Sequence, residues 1–91
     1  MRIEALLFDD RNEDECGAHG VTVRELQQVL EEAPRFFRNK GGRGRAPYVM
    51  IGPSRGGRLL TIPIDPLPSP GVWRPRTAYD SPQSDRTRYY S

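Results

Sequence analysis

Between Thr22 and Pro34 the chain spells out one complete amphipathic helix, and the residues after Pro34 cannot continue it. Thr22-Val23-Arg24-Glu25 is a capping box. The Thr22 hydroxyl accepts from the amide three residues on, and Glu25 reaches back to the Thr22 amide. Val21 and Leu26 stand at the spacing of a hydrophobic staple. Val23, Leu26, Val29 and Leu30 recur at helical spacing. Ala33-Pro34 closes the element, because a residue before proline avoids helical backbone. The pattern predicts a helix over 23–32.

Beyond Pro34 the texture is that of strands. Arg35-Phe36-Phe37-Arg38 is short and aromatic, and residues 39–46 read as a flexible basic loop. Tyr48 to Ile51 is a buried-strand pattern. Gly52 to Gly57 is a turn, and Arg58 to Ile64 is the returning strand, with Leu60, Ile62 and Ile64 on one face. Pro63 places the end of that strand at an edge or a bulge. Val72 to Tyr79 forms one further strand. Ser81-Pro82 has the form of an N-cap followed by proline at the first helical position, opening a short last helix. Before the capping box, Ile3 to Phe8 is a strand or packed arm, and Asp9 to Ala18 is an acidic stretch broken at Gly17. The expected fold is α+β: a small antiparallel sheet of three to four strands, with a helix in the N-terminal half, a short C-terminal helix, and both helices on one face.

Size narrows this further. Ninety-one residues make a single domain, 1–91, and Leu, Ile, Val and Phe together number only 19, so the core is thin. The apolar runs are too short to span a membrane. Met1-Arg2-Ile3-Glu4 does not lead into the apolar stretch of a secretory leader. A lone cysteine, Cys16, excludes an internal disulfide and points to a reducing, cytoplasmic setting. With a single histidine, His19, it is also too little for a structural zinc site, so no metal or other cofactor is expected.

Charge is distributed unevenly. Residues 1–33 carry three basic and nine acidic side chains, and residues 34–91 carry eleven basic and three acidic, a net of −6 against +8. Thirteen of the fourteen basic residues are arginine, whose planar fork suits phosphate. This split predicts a polyanion-binding surface on one part of the fold.

Several short motifs then occur in order. His19-Gly20-Val21 precedes the helix; Ile51-Gly52 and Gly57-Arg58-Leu59-Leu60 flank the hairpin; Arg74-x-x-Thr77-Ala78 ends a strand; Asp85 and Tyr89 sit one turn apart in the last helix. Phe8-Asp9 adds an aromatic followed by an acid. In this order they resemble the BrnT family of type II toxins, small ribonucleases with a RelE-like fold, each neutralised by a BrnA-type antitoxin. The chain departs from that pattern at Ala18, where the family has Lys, at Tyr79, where it has Arg, and at Asp85, where it has Glu.

The resemblance implies a toxin that inhibits translation by cutting RNA without a metal, bound by its antitoxin in a hetero-oligomer, with DNA reached only through the antitoxin. Such cleavage needs a base for the 2′-hydroxyl, cations for the phosphoryl oxygens and an acid for the leaving oxygen. His19 is a candidate base or acid, or else a cap outside the helix. Arg58 is a candidate for the transition-state charge, or an ordinary hairpin charge. Arg74 and Arg76 share a strand face by period two, as a phosphate clamp or as a solvated face. Tyr79 stacks a base, donates its proton or packs at the rim. Arg43, Arg45 and Arg55 are nonspecific phosphate contacts or loop charges. The acidic run from Asp9 to Glu15 is read as solvated or antitoxin-facing. A second expectation, motivated by Ala18 and Tyr79, is a binding module for RNA or protein that kept the fold and lost the chemistry.

Overall fold

The computed structural model describes residues 3–91; Met1 and Arg2, which entered the leader comparison, lie outside them. The first departure from expectation precedes the capping box. Asp9 caps a helix of its own, α1 (Asp10–Ala18), accepting from the Asn12 amide while the Asn12 side chain accepts from the Asp9 amide. Expected to be an acidic segment broken at Gly17, this stretch is instead helical through Ala18. Its acids at Asp10 and Glu13 lie in the first turn, where the helix dipole favours them. The capping box at Thr22 then opens α2 (Val23–Glu31) as expected, with both reciprocal bonds present. Leu26 and Val29 are fully buried from it. Each such side chain contributes roughly 1.5–3 kcal/mol.

The sheet has six strands, not three or four, and is mixed. These are β1 (Ala5–Leu6), β2 (Arg35–Arg38), β3 (Tyr48–Pro53), β4 (Leu59–Pro66), β5 (Val72–Pro75) and β6 (Tyr79–Asp80). The order is β1-β5-β4-β3-β2, with β6 also on β4. The N-terminal arm supplies the parallel pair, β1 on β5; all other pairs are antiparallel. The last helix, α3 (Gln83–Tyr90), starts one residue later than predicted, with Pro82 itself at the N-cap and no side-chain cap. Ser81 is buried and bonds elsewhere.

The helices cover both faces, which corrects the one-sided arrangement. Side chains alternate along β3, so Met50 joins a core beneath α1 and α2 with Cys16, Val21, Leu26, Val29, Leu60 and Ile62. Val49 and Ile51 join Leu59 in a second cluster against Tyr89 of α3. Short helices on each face of the long strands are how so few apolar residues close a sheet.

Pro63 lies in the middle of β4, the most central strand, rather than at an edge. Its carbonyl accepts from the Arg76 amide at 2.8 Å, and on an antiparallel strand its nitrogen points the same way. Having no N–H, it leaves one bond of that pair unmade. The expected single strand from Val72 to Tyr79 parts there into β5 and β6. The register across the gap moves by one: Ile64 faces Pro75, whereas Thr61 faces Tyr79. Residues 76–78 therefore contain one extra residue, a bulge.

Candidate functional site

The bulge decides which side chains meet. Period two alone sends Tyr79 to the face opposite Arg74 and Arg76. With the extra residue, Arg74 lies opposite Asp65 and Tyr79 opposite Thr61, four apart on β4, so all three share a face.

Beside them runs α1. Asp9, at its start, holds Arg74 by two bonds of 3.0 and 3.3 Å. His19, at its end, meets Tyr79 edge-on, with ring centroids 6.0 Å apart. Helix and segment thus run side by side in the same direction, over about 15 Å at 1.5 Å per residue. Between them lies a cleft of about 210 Å³ lined by Arg11, Glu15, Arg45, Arg74, Arg76 and Thr77. Arg11, Glu15 and His19 recur at intervals of four along α1, which puts them on one side.

The turn at residues 43–45 supplies the remaining wall. Expected to be a flexible loop, it is tied down by Asn39, whose side-chain amide donates to the carbonyls of Arg43 and Ala46 at 2.6 and 2.8 Å. Gly44, at φ +63°, lies against Pro63 and Thr77 so closely that an added Cβ would come within 3.2 and 3.4 Å of them. Arg45 comes next at φ 58°, a left-handed backbone unusual for a side-chain-bearing residue and costing on the order of 1 kcal/mol.

Arg43 turns away from the cleft. It grips Asp85 of α3 with two bonds of 2.7 and 3.2 Å, and its guanidinium lies over the Tyr79 ring at 5.9 Å. Asp85, only 1 % exposed, also accepts from Thr61, which bonds Ser81. Burial by itself would raise the Asp85 pKa; the hydrogen bonds from Arg43 and Thr61 outweigh it and hold the carboxyl below the ordinary aspartate value. Tyr79 goes the other way. Burial raises its pKa against the nearby Arg43 charge, so it remains a phenol at neutral pH. The buried hydroxyl of Thr77 has no hydrogen-bond partner, and that of Tyr79 has at most a poorly formed one to the Arg43 guanidinium.

Arg58 lies at the other end of the pair, with its donors engaged. It bonds the Gly20 carbonyl at 2.9 Å, both Glu25 oxygens, and the Asp80 carboxylate at 2.9 and 3.3 Å. Gly20 is next to His19 and Asp80 is next to Tyr79, so one guanidinium ties the backbone beside one ring to the side chain beside the other. Asp80 is held below its usual pKa by Arg58. Arg76 pairs with Asp65 at 3.2 Å. Arg55 is exposed, paired with Glu31 and Glu32 near the end of α2, and does not line the cleft.

The uneven charge along the sequence is thus partly neutralised by pairing in the fold. Arg58, Arg55 and Arg74 meet acids from residues 1–33. Sequence reasoning missed Arg11 and Glu15, because the stretch that aims them has the composition of an acidic loop. Cys16, 2 % exposed, has its thiol pushed up to about 11 by burial and the charges of Glu15 and Glu13, and is no nucleophile. Trp73 is in the core, as expected; Tyr89 packs on the second cluster while Tyr90 stays exposed. Among the described residues no group of three or more His, Cys, Asp or Glu could hold a metal ion, and no helix is long and apolar enough to cross a membrane. No protein-family model, curated protein or solved structure matches the chain.

Proposed function

We propose that this chain is an RNA-cleaving toxin of the BrnT type, with a RelE-like fold, neutralised by a small antitoxin partner. The reading rests on the sequence motifs together with one geometric observation: the exposed imidazole of His19 lies against Tyr79 beside an arginine-lined cleft. Histidine is the side chain best suited to exchange a proton with a 2′-hydroxyl near neutral pH. In this scheme His19 takes that proton. The protonated His19 then serves the leaving 5′-oxygen, while Tyr79, its hydroxyl buried, holds the imidazole edge-on. The arginines of the neighbouring cleft supply positive charge that draws the RNA strand to this pair.

Arg58 has a different part from the one its sequence position suggests. With its donors committed to Gly20, Glu25 and Asp80, it holds His19 and Tyr79 in place rather than meeting phosphate. It acts as a positioning residue.

The test is to incubate the purified protein, free of any partner, with a structured RNA in EDTA and to map the product ends. Cleavage leaving 2′,3′-cyclic phosphates is the expected result. RNA that is bound but stays intact overturns it in favour of the binding module, which the Tyr79 and Ala18 departures also motivate.

A further inference from the structure

The arginine-lined cleft is separate from the His19–Tyr79 contact. Arg11 and His19 are eight residues apart on the α1 side, about 12 Å along the axis. A phosphate held at Arg11 is therefore not the one that His19 would reach.

The charges of the cleft define its ligand. Of its four arginines, Arg74 is paired with Asp9 and Arg76 with Asp65. Arg11 and Arg45 make no ion pair among the described residues. Glu15 offsets one of these two. What remains is a single unbalanced positive charge, facing forked donors on three sides: α1, the turn at 43–45 and the segment after β5. Such a site matches the single negative charge of a phosphodiester. A terminal phosphate ester, with close to two charges, would meet the Glu15 carboxylate with less to balance it. The strained backbone at Arg45 is what carries this unpaired guanidinium to the cleft wall.

We infer that the cleft formed by Arg11, Arg45, Arg74 and Arg76 is a subsite for an internal phosphodiester of single-stranded RNA flanking the cleaved one. It makes RNA length, not base identity, the first determinant of affinity. The choice of RNA as ligand rests on the function proposed above.

The test is binding, read apart from cleavage. Labelled 2′-deoxy-substituted oligonucleotides, from a dinucleotide upward, are titrated by fluorescence anisotropy, with inorganic phosphate and a mononucleotide as the monoester arm. Wild type is expected to gain about tenfold in affinity once a flanking diester reaches the cleft. Arg11→Ala, on an exposed helix position, and Arg45→Gly, which also relieves the left-handed backbone, are expected to flatten that step. Each should lower the salt slope by about one. Glu15→Gln is expected to tighten binding. A length step unchanged in both arginine variants overturns the inference, as does tighter binding of the monoesters than of the oligonucleotides. Oligonucleotides that fail to bind while an acidic peptide binds also overturn it, and assign the cleft to a protein partner. A protein that binds in this way but does not cleave leaves the subsite standing and removes the nuclease reading alone.

Discussion

The imidazole of His19 meets the ring of Tyr79 edge-on, 6.0 Å between centroids, although the two stand sixty residues apart in the chain. Three things bring them together: the end of α1, the one-residue bulge before β6, and the guanidinium of Arg58 bridging the residues next to each. The hydroxyl of Tyr79 is buried, with Arg43 beside it and no well-formed hydrogen bond. Tyr79→Phe keeps the ring contact and removes only that hydroxyl. The variant is expected to melt close to the wild-type temperature, since the buried hydroxyl makes no well-formed hydrogen bond. RNA cleavage should stay close to wild type, because the ring that positions His19 is kept. Thermal melts and single-turnover rates on the same preparation check both expectations.

Arg58→Ala should do the reverse of a lost phosphate contact. It removes bonds to Gly20, Glu25 and Asp80 that are partly solvent-screened, so we expect a cost of about 1–2 kcal/mol in denaturant unfolding. Cleavage should drop while affinity for uncleavable RNA stays close to wild type. A variant that folds normally but loses RNA affinity would return Arg58 to the role its sequence position suggests.

The buried Asp85 makes acid stability predictable in sign. Its folded pKa lies below the ordinary value of 3.8, so its contribution is fully present above that value and is lost as pH falls through the lowered one. Asp9 and Asp80, lowered by Arg74 and Arg58, act in the same direction from exposed positions. Asp85→Asn is expected to cost about 2 kcal/mol at neutral pH. Its deficit relative to wild type should shrink on acidification below 3.8. A deficit that is constant with pH would show that the carboxylate charge is not what anchors Arg43.

At Gly52 the backbone of β3 comes close to Val29 of α2 and to Pro34. An added Cβ would come within 3.0 Å of Val29 Cγ1 and 3.1 Å of Pro34 Cα. Gly52→Ala is expected to destabilise by about 1–3 kcal/mol through overpacking. Equilibrium unfolding compared with Gly56→Ala, whose added Cβ would make only an ordinary contact with Ser54 Oγ at 3.9 Å, provides the control.

Much of the fold is legible locally, where short-range chemistry decides. The Thr22 capping box, the stop at Pro34 and the hairpin strands are dictated by neighbours in sequence. α1 is hard to see because its signal, Asp9 with Asn12, is a polar cap on a polar helix with few apolar residues to mark a period. The candidate site is hard to place for a different reason. His19, Arg74, Arg76 and Tyr79 stand out by residue type, but period two separates Tyr79 from the arginines. The bulge that reunites them arises from Pro63, thirteen residues before Arg76, across a strand pair. The uneven charge does not by itself show which arginines find Asp9, Glu25 or Glu31 as partners in the fold and which, like Arg45, do not.

The most direct test of the site is the single-turnover rate of RNA cleavage by wild type and His19→Ala, with RNA affinity measured alongside. The imidazole is exposed, so its removal should leave the fold intact. We predict a rate loss of about 10²–10⁴-fold with affinity preserved and cyclic-phosphate ends from the wild type. Equal cleavage by His19→Ala would contradict the account, as would a wild type that binds RNA without cutting it.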